Sequence, residues 1–359
     1  MTFSSTNELR RAPARLRLIE LAVAGFLLIG SASLSWAQTP SPTPGDRVVN
    51  NEGDASEVVR VDTTLVNIPV TVMTRQGRYV PNLRREDFHV YEDGVEQRIA
   101  HFAEVEKPLV VALLLDTSAS TRYRLEDIKA AAIAFIDQLR PDDRVMVVAF
   151  SDYVDVIAEP TNDHQVLRAA VLRSKSGNST HLYDAVDVAL NEKLNRIPGR
   201  KAVVLLTDGV DYVSLETRAS NLHAAEETEA MICSIQYDTF FDQTDIRVWD
   251  KEVIKKTTRL YPPGLGREDY RRATTYLTEL AARSGGEFYH AADLGNIRRA
   301  FARIAEQLRS QYSLGYYPAN STAAQQRTIK VQINRHDLVV RARRSYVYKP
   351  LKPVEIRQP

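Results

Sequence analysis

The feature that most constrains the fold is an apolar run that ends in a row of polar side chains. Residues 109–120 read Leu-Val-Val-Ala-Leu-Leu-Leu-Asp-Thr-Ser-Ala-Ser, so an unbroken apolar stretch leads directly to Asp116, Ser118 and Ser120. Apolar residues at consecutive positions leave neither face for water, which is typical of a central strand in a helix-covered parallel sheet. The three oxygen-bearing side chains then lie at the carboxyl end of the strand, where open α/β sheets bind their ligands.

Two later segments supply matching parts. Residues 176–180, Ser-Gly-Asn-Ser-Thr, form a polar loop before a helical pattern, and residues 202–209, Ala-Val-Val-Leu-Leu-Thr-Asp-Gly, form a second apolar strand that ends in Asp-Gly. Carboxylate and hydroxyl oxygens are the ligands that hard divalent cations prefer, so the three segments together predict a cation site. Each segment alone is equally typical of a helix N-cap.

The combination Asp-x-Ser-x-Ser, loop Thr and Thr-Asp-Gly, each at a strand-to-helix junction, resembles the metal-ion-dependent adhesion site of von Willebrand factor type A (VWA) domains. The resemblance covers about three-fifths of the chain by motif order and strand–helix alternation. It implies a site that holds Mg²⁺ (or Mn²⁺ or Ca²⁺), and a protein partner that offers an Asp or Glu to the metal. The metal-site residues that it implies are Asp116, Ser118, Ser120, Thr180 and Asp208.

The chain between residues 106 and 309 alternates strand and helix patterns, which predicts an α/β fold of the Rossmann-like VWA type. The sheet is expected to be mostly parallel, with helices on both faces. Residues 238–272 are charged and longer than a typical connection, so we interpret them as an insertion, part-helical near 250–257. This insertion follows the strand that ends at about Tyr237, and we therefore expect it near the metal face.

The segments that flank this domain, residues 58–105 and 310–349, show the period-two alternation of β-strands. Neither is large enough to fold alone, so we expect them to form one small β-sandwich into which the VWA domain is inserted, or which flanks it. Similar β segments precede the A domain in many bacterial secreted proteins that carry one. Pro69 predicts an edge strand, and the basic stretch 341–344 is expected to be a solvated edge. Residues 350–359 are a tail.

The N-terminus, residues 1–37, is typical of an export signal for general secretion. Basic residues at positions 10, 11, 15 and 17 precede a mostly apolar stretch, and Ser35-Trp36-Ala37 is a plausible cleavage site. We therefore expect a secreted, periplasmic or cell-envelope protein. An uncleaved anchor is the alternative, because residues 18–37 are nearly long enough to span a bilayer, and membrane contact is expected only in that case. Residues 38–57 are a Pro-rich flexible linker.

Composition excludes several classes of function. The formal net charge of +1 argues against broad electrostatic capture of nucleic acid or of an anionic membrane surface. The single cysteine, Cys233, excludes an intrachain disulfide and a cysteine-built zinc site, and its apolar neighbours predict a buried strand residue.

A non-enzymatic protein-binding module is the function we expect from the sequence. Neither a Gly-x-Ser-x-Gly elbow nor a His-Glu-x-x-His zinc motif occurs. His181, beside Thr180, is expected to be a rim residue rather than a catalytic base. Two alternatives stay open: a metal-dependent hydrolase or phosphoryl-transfer enzyme, and a structural envelope protein with a vestigial site. An aspartyl nucleophile for phosphoryl transfer at Asp116 would need a second Asp two residues on, where Ser118 stands.

Overall fold

The computed structural model describes residues 65–104, 107–237, 267–318 and 325–348. The predicted export signal, the linker, the stretch at 250–257 and the tail lie outside the described residues. Within these described ranges, the helices are all too short or too polar to cross a membrane.

The described chain begins and ends in strands, and it alternates strands with helices between them. The strands are β1 (Val66–Thr74), β2 (Phe88–Glu92), β3 (Val95–Gln97), β4 (His101–Glu104), β5 (Leu109–Asp116), β6 (Arg144–Phe150), β7 (Val154–Thr161), β8 (Arg200–Thr207), β9 (Met231–Tyr237), β10 (Phe288–Ala291), β11 (Gln311–Tyr316), β12 (Gln325–Ile333), β13 (Leu338–Arg341) and β14 (Ser345–Tyr348). The helices are α1 (Leu125–Ile136), α2 (His164–Arg173), α3 (Leu182–Asp187), α4 (Arg218–Glu227), α5 (Arg267–Ser284) and α6 (Leu294–Arg309).

A six-stranded sheet in the order β10-β9-β8-β5-β6-β7 forms the centre of the protein. Its strands are parallel except β7, which runs antiparallel to β6 at one edge. Strand β5 is hydrogen-bonded on both sides, and every one of its residues is buried. The predicted central strand is therefore present, and its carboxyl end is flanked by the ends of β6 and β8.

Helices cover both faces of this sheet, and the alternation of β5 divides the core between them. Val111, Leu113 and Leu115 pack on the side of α1, α2 and α6. Val110, Ala112 and Leu114 pack on the opposite side, with α3, α4 and α5. The predicted α/β fold, mostly parallel with helices on both faces, is confirmed.

Helix α5 begins earlier than the sequence predicts. We interpreted residues 238–272 as an insertion, yet the helix already includes Arg267 and the residues that follow it. Tyr270, Ala273 and Leu277 are buried at helical spacing, but the charged residues between them hide this pattern. Those charges form i,i+3 ion pairs along the exposed face, such as Arg271 with Glu268. The C-terminal end of the predicted insertion is therefore wrong, and residues 238–266 lie outside the described residues.

Two four-stranded antiparallel sheets combine strands from both flanks of the central domain. Their orders are β13-β1-β11-β4 and β14-β12-β2-β3, so β1 pairs with β11 and β2 pairs with β12. The apolar faces of the two sheets enclose one core, to which Ile68, Val90, Tyr312, Leu314 and Ile329 contribute. The flanks thus form one β-sandwich.

Strand β1 lies inside its sheet, so the edge position that Pro69 predicted is wrong. β1 pairs with β11 over residues 66–71 and with β13 only from Thr71 onward. Pro69 therefore has a paired neighbour, Ser313, on one side alone. A residue without an N–H is accommodated because the second partner strand joins the ladder beyond it.

The basic stretch 341–344 contacts the central domain through hydrogen bonds and an ion pair. The expectation that this stretch is a solvated edge is therefore wrong. Arg343 is buried and donates to the backbone carbonyls of Asn67 (2.8 Å) and Thr228 (3.3 Å). Arg341 forms an ion pair with Glu287, which precedes β10. The sequence shows that Arg341 and Arg343 alternate along a strand pattern. It does not show that the central domain covers their side chains.

One guanidinium joins both ends of the central domain. Arg200, at the start of β8, donates to the carbonyl of Lys107 (3.0 Å), where the chain enters the domain, and to that of Leu308 (2.7 Å), where the chain leaves it. The same group donates to Oε1 of Gln311 in the sandwich (2.9 Å). Burial lowers the pKa of Arg200 to about 10.

Candidate functional site

Asp116 is the last residue of β5, and its carboxylate is completely buried. Oδ1 accepts a hydrogen bond from the Ser118 N–H (2.9 Å), and Oδ2 accepts one from the Thr207 hydroxyl at the end of β8 (2.6 Å). Both donors are neutral. These two bonds fix the orientation of the carboxylate, and among the described residues no cationic side chain bonds either of its oxygens.

The two serines of the first motif lie together beyond the strand. The hydroxyls of Ser118 and Ser120 are 3.0 Å apart. The Thr121 hydroxyl stabilises this turn, because it contacts the backbone carbonyls of Asp116 (3.1 Å) and Ser118 (2.9 Å). The turn therefore gathers one carboxylate and two hydroxyls at one point, as the alternate spacing predicts.

Asp208 follows β8 and is also buried. Its Oδ1 accepts from the N–H of Val210 (3.1 Å), and its backbone carbonyl accepts from the Gln236 amide (3.0 Å). Gly209 has a φ of +86°, and a Cβ there would lie 2.8 Å from the Leu277 side chain. Only glycine fits this turn, so the Asp-Gly pair is required by the close approach of α5.

The two carboxylates share one electrostatic environment. Burial, which is the larger cause, and the charge of Asp208 together raise the pKa of Asp116 to about 7, against the opposing hydrogen bonds from Ser118 and Thr207. A buried carboxylate that is repelled by a second carboxylate is stabilised when it binds a proton or a cation. This part of the sheet edge therefore favours a positive charge.

Thr180 lies on a loop that connects the two halves of the site. The N–H of Gly177 donates to the carbonyl of Thr117 (2.9 Å), beside the first motif. The carbonyl of Thr180 accepts from the N–H groups of Tyr212 (3.1 Å) and Val213 (3.4 Å), which follow Asp208. Thr180 is buried. The loop thus runs from the Asp116 turn to the Asp208 turn and brings all three motifs to one edge.

His181 belongs to a structural network at the margin of this edge. Its Nδ1 lies 2.8 Å from Oδ2 of Asp184, whose carboxylate also accepts from the N–H of Glu216 (2.8 Å) and of Leu215 (3.2 Å). Burial raises the pKa of Asp184, but these hydrogen bonds outweigh it and hold that pKa below its usual value. His181 therefore orders the loop.

The donor set fits a hard cation. All five predicted residues offer oxygen, which suits Mg²⁺, Mn²⁺ or Ca²⁺ and not zinc. Within the described part of the chain, no group of three or more His, Cys, Asp or Glu side chains is placed to hold a metal. A cation at this edge would therefore depend on the hydroxyls of Ser118, Ser120 and Thr180 together with the two carboxylates.

Thr207 and Cys233 complete this description. Thr207, which orients Asp116, was not singled out from the sequence, although it stands inside the Thr-Asp-Gly motif. Cys233 is fully buried in β9, and burial raises its pKa to about 12. The expectation of a buried strand residue is confirmed, and its thiol is too protonated and too enclosed to be a nucleophile.

Comparison with known proteins agrees with this architecture. The family profile of the von Willebrand factor type A domain matches residues 111–210. The uncharacterized protein sll0103 of Synechocystis sp. is 31% identical over 106 residues, which are 28% of this chain and 25% of that protein. The chain therefore spans about a quarter of the length of this relative.

Solved structures include a von Willebrand factor type A protein from Catenulispora acidiphila, with 12% identity and a TM-score of 0.44 over 73% of this chain and 72% of that one. The vWF domain of the type V pili tip protein Mfa5 from Porphyromonas gingivalis has 14% identity and a TM-score of 0.39 over 55% of this chain and 94% of that one. The matched residues 111–210 contain most of β5, all of β6, β7 and β8, and all five candidate site residues. The part of the α/β domain that carries the candidate site is therefore similar to a von Willebrand factor type A domain.

Proposed function

We propose that this protein captures a protein partner through a divalent cation, Mg²⁺ or a close relative, held by Asp116, Ser118, Ser120, Thr180 and Asp208. The observation that carries the proposal is the buried Asp116 carboxylate, which is bonded by neutral donors and has its pKa raised to about 7 by burial and by Asp208. Such a pair of carboxylates costs free energy unless a cation accompanies it. The VWA-type sequence around it supports the same conclusion.

The role of the chain's own residues follows from this geometry. Two carboxylates balance the charge of one divalent ion, and the neutral hydroxyls add ligands without adding negative charge. A cation held there would supply a Lewis-acidic centre to which an Asp or Glu of a partner could bind. Thr207 and the Ser118 N–H hold Asp116 in a fixed orientation, so the site is preorganised for the ion.

We further propose that the protein acts in the bacterial cell envelope or outside the cell and that it is not an enzyme. The export-type N-terminus supports this location. The His181 ring forms a hydrogen bond with Asp184, and Cys233 is buried. Neither residue therefore supports a catalytic role at this edge.

Isothermal titration calorimetry of Mg²⁺ into the full chain, followed by binding of acidic and amide-substituted peptides with and without EDTA, tests the proposal. We expect one Mg²⁺ per chain and capture of the acidic peptide alone, only in the presence of the ion. Equal capture in Mg²⁺ and in EDTA would contradict the metal-dependent function. Turnover of phosphate esters by the Mg²⁺-treated protein would instead favour the enzyme alternative.

A further inference from the structure

A cleft of about 240 Å³ opens directly beside the proposed cation site. Its lining includes Thr117, which stands between the candidate ligands Asp116 and Ser118. The lining also includes Tyr153 in the β6–β7 turn, Arg173 at the end of α2 and Lys175 in the next loop. A ligand that reaches the cation can therefore extend into this cleft.

The charge of the lining is positive. Arg173 and Lys175 are both exposed, and within the described part of the chain neither forms an ion pair with an Asp or Glu. Asp155, also exposed, is the acidic residue of the lining. Two cations against one anion leave a net positive charge beside a site that is proposed to bind a carboxylate through its metal.

The two cationic side chains are not needed to cap the helix that precedes them. The carbonyl of Leu172 accepts from Lys129 Nζ (3.2 Å), and that of Val171 accepts from the Ser174 hydroxyl (2.8 Å). These bonds satisfy carbonyls in the last turn of α2, where basic side chains often serve instead. Arg173 and Lys175 are thus available to an external ligand.

The walls of the cleft are held in place by the same loop that carries Thr180. The N–H of Asn178 donates to Oδ1 of Asp152 (2.8 Å), and Gly177 packs so closely on Ser151 that a Cβ would lie 2.5 Å from its hydroxyl oxygen. The turn that presents Tyr153 and the loop that presents Lys175 are therefore fastened to each other. Tyr153, 68% exposed, offers an aromatic face in the same cleft.

We infer that this cleft is a second subsite that binds a second carboxylate of the partner, so that the preferred ligand is an extended acidic peptide segment with two acidic residues. This inference rests on the proposed function, because the first carboxylate is the one that binds the cation. Arg173 and Lys175 hold the second one, and Tyr153 contacts the peptide between them.

The test uses the full chain and labelled peptides in a Gly-Ser background. One peptide carries a single Asp, and a series carries a second Asp at increasing separation from the first. In Mg²⁺, fluorescence anisotropy should show that one range of separations binds roughly fivefold more tightly than the single-Asp peptide, as expected for two solvent-exposed charge contacts. The double variant Arg173→Gln/Lys175→Gln should lose this gain and keep its affinity for the single-Asp peptide.

A matched control removes two exposed cations from the sandwich, Lys330→Gln/Arg344→Gln, and should retain the gain. Both variants should keep the wild-type unfolding temperature and Mg²⁺ affinity. A second Asp that brings no gain at any separation, or a gain that persists in the Arg173→Gln/Lys175→Gln variant, would overturn the subsite while leaving Mg²⁺-dependent capture intact. If the second Asp tightened binding equally in Mg²⁺ and in EDTA, the proposed function would be overturned and the subsite would stand. If no peptide bound at all, both would be overturned.

Discussion

The hydroxyl of Thr207 lies 2.6 Å from Oδ2 of Asp116 and joins the carboxyl ends of two neighbouring strands. The Thr207 hydroxyl oxygen also accepts a hydrogen bond from the N–H of Gly209, at 2.9 Å. Because a hydroxyl has one proton and two lone pairs, these two bonds fix its orientation toward the carboxylate. Thr207 is thus a positioning residue that supports Asp116 from β8.

Replacing Thr207 by Val removes this bond with little change in side-chain shape. We expect a loss of about 1–3 kcal/mol in the free energy of unfolding, because a buried carboxylate oxygen and a backbone N–H lose their partner. Mg²⁺ affinity should fall by about tenfold or more, as is usual when a group that orients a metal ligand is removed. Calorimetry and urea unfolding measure the two effects.

The exposed Thr278→Val variant in α5 is the control for the Thr207 experiment and should leave Mg²⁺ affinity unchanged. Wild-type Mg²⁺ affinity in Thr207→Val would show that the bond between Thr207 and Asp116 does not support the site.

The variant Asp116→Asn separates the cost of the buried charge from the binding of metal. It keeps the shape of the side chain and removes one of the two formal negative charges. The metal-free variant should unfold at the wild-type temperature or above it, because burial no longer opposes a charge. Addition of Mg²⁺ should stabilise the wild type but not the variant in a thermal unfolding assay. The exposed Asp142→Asn variant should respond to Mg²⁺ like the wild type.

The raised pKa of Asp116 predicts how stability depends on pH. The folded-state pKa is about 7 and the ordinary value is 3.8, so between these values the folded metal-free protein binds more protons than the unfolded chain. Its free energy of unfolding should therefore fall as pH rises from 3.8 to about 7. The difference between wild type and Asp116→Asn isolates this contribution. Mg²⁺ competes with the proton, so its stabilising effect should grow across the same range.

Arg343→Met tests the attachment of the sandwich to the central domain. The guanidinium donates to the carbonyls of Asn67 and Thr228, and methionine leaves both without this donor. We expect a loss of about 2–4 kcal/mol in the free energy of unfolding, from two buried acceptors that lose charge-assisted hydrogen bonds. The exposed neighbour Arg344→Met is the matched control. A stability equal to wild type in Arg343→Met would mean that the two parts are held together by other contacts.

Much of the fold could be predicted because apolar runs such as those in β5 and β8 are typical of strands in a sheet whose two faces are both covered. Prediction failed where tertiary contacts decide the outcome. The charged start of α5 hid its buried positions, Pro69 has one open side within an internal strand, and Arg343 is buried by a part of the chain that is distant in sequence.

The candidate site was predictable to a similar extent. The sequence predicts Asp116, Ser118, Ser120, Thr180 and Asp208 as site residues because each lies at a strand end or in a loop next to a helix. The partners that orient them were not, since the bond from Thr207 to Asp116 and the bonds from Tyr212 and Val213 to Thr180 depend on the alignment of separate strands and loops. The basic cleft beside Thr117 also depends on residues brought together from β6, β7 and α2.

Arg200 has a consequence for the order in which the chain folds. Sandwich pairs such as Val66 with Tyr316 join residues separated by the whole central domain, and closing so long a loop in an unfolded chain costs conformational entropy. Once the central domain has folded, Arg200 holds Lys107 and Leu308 within the reach of one guanidinium, so both flanks emerge side by side and the remaining closure is short. The central domain should therefore fold first, and the sandwich should assemble on it as a late step.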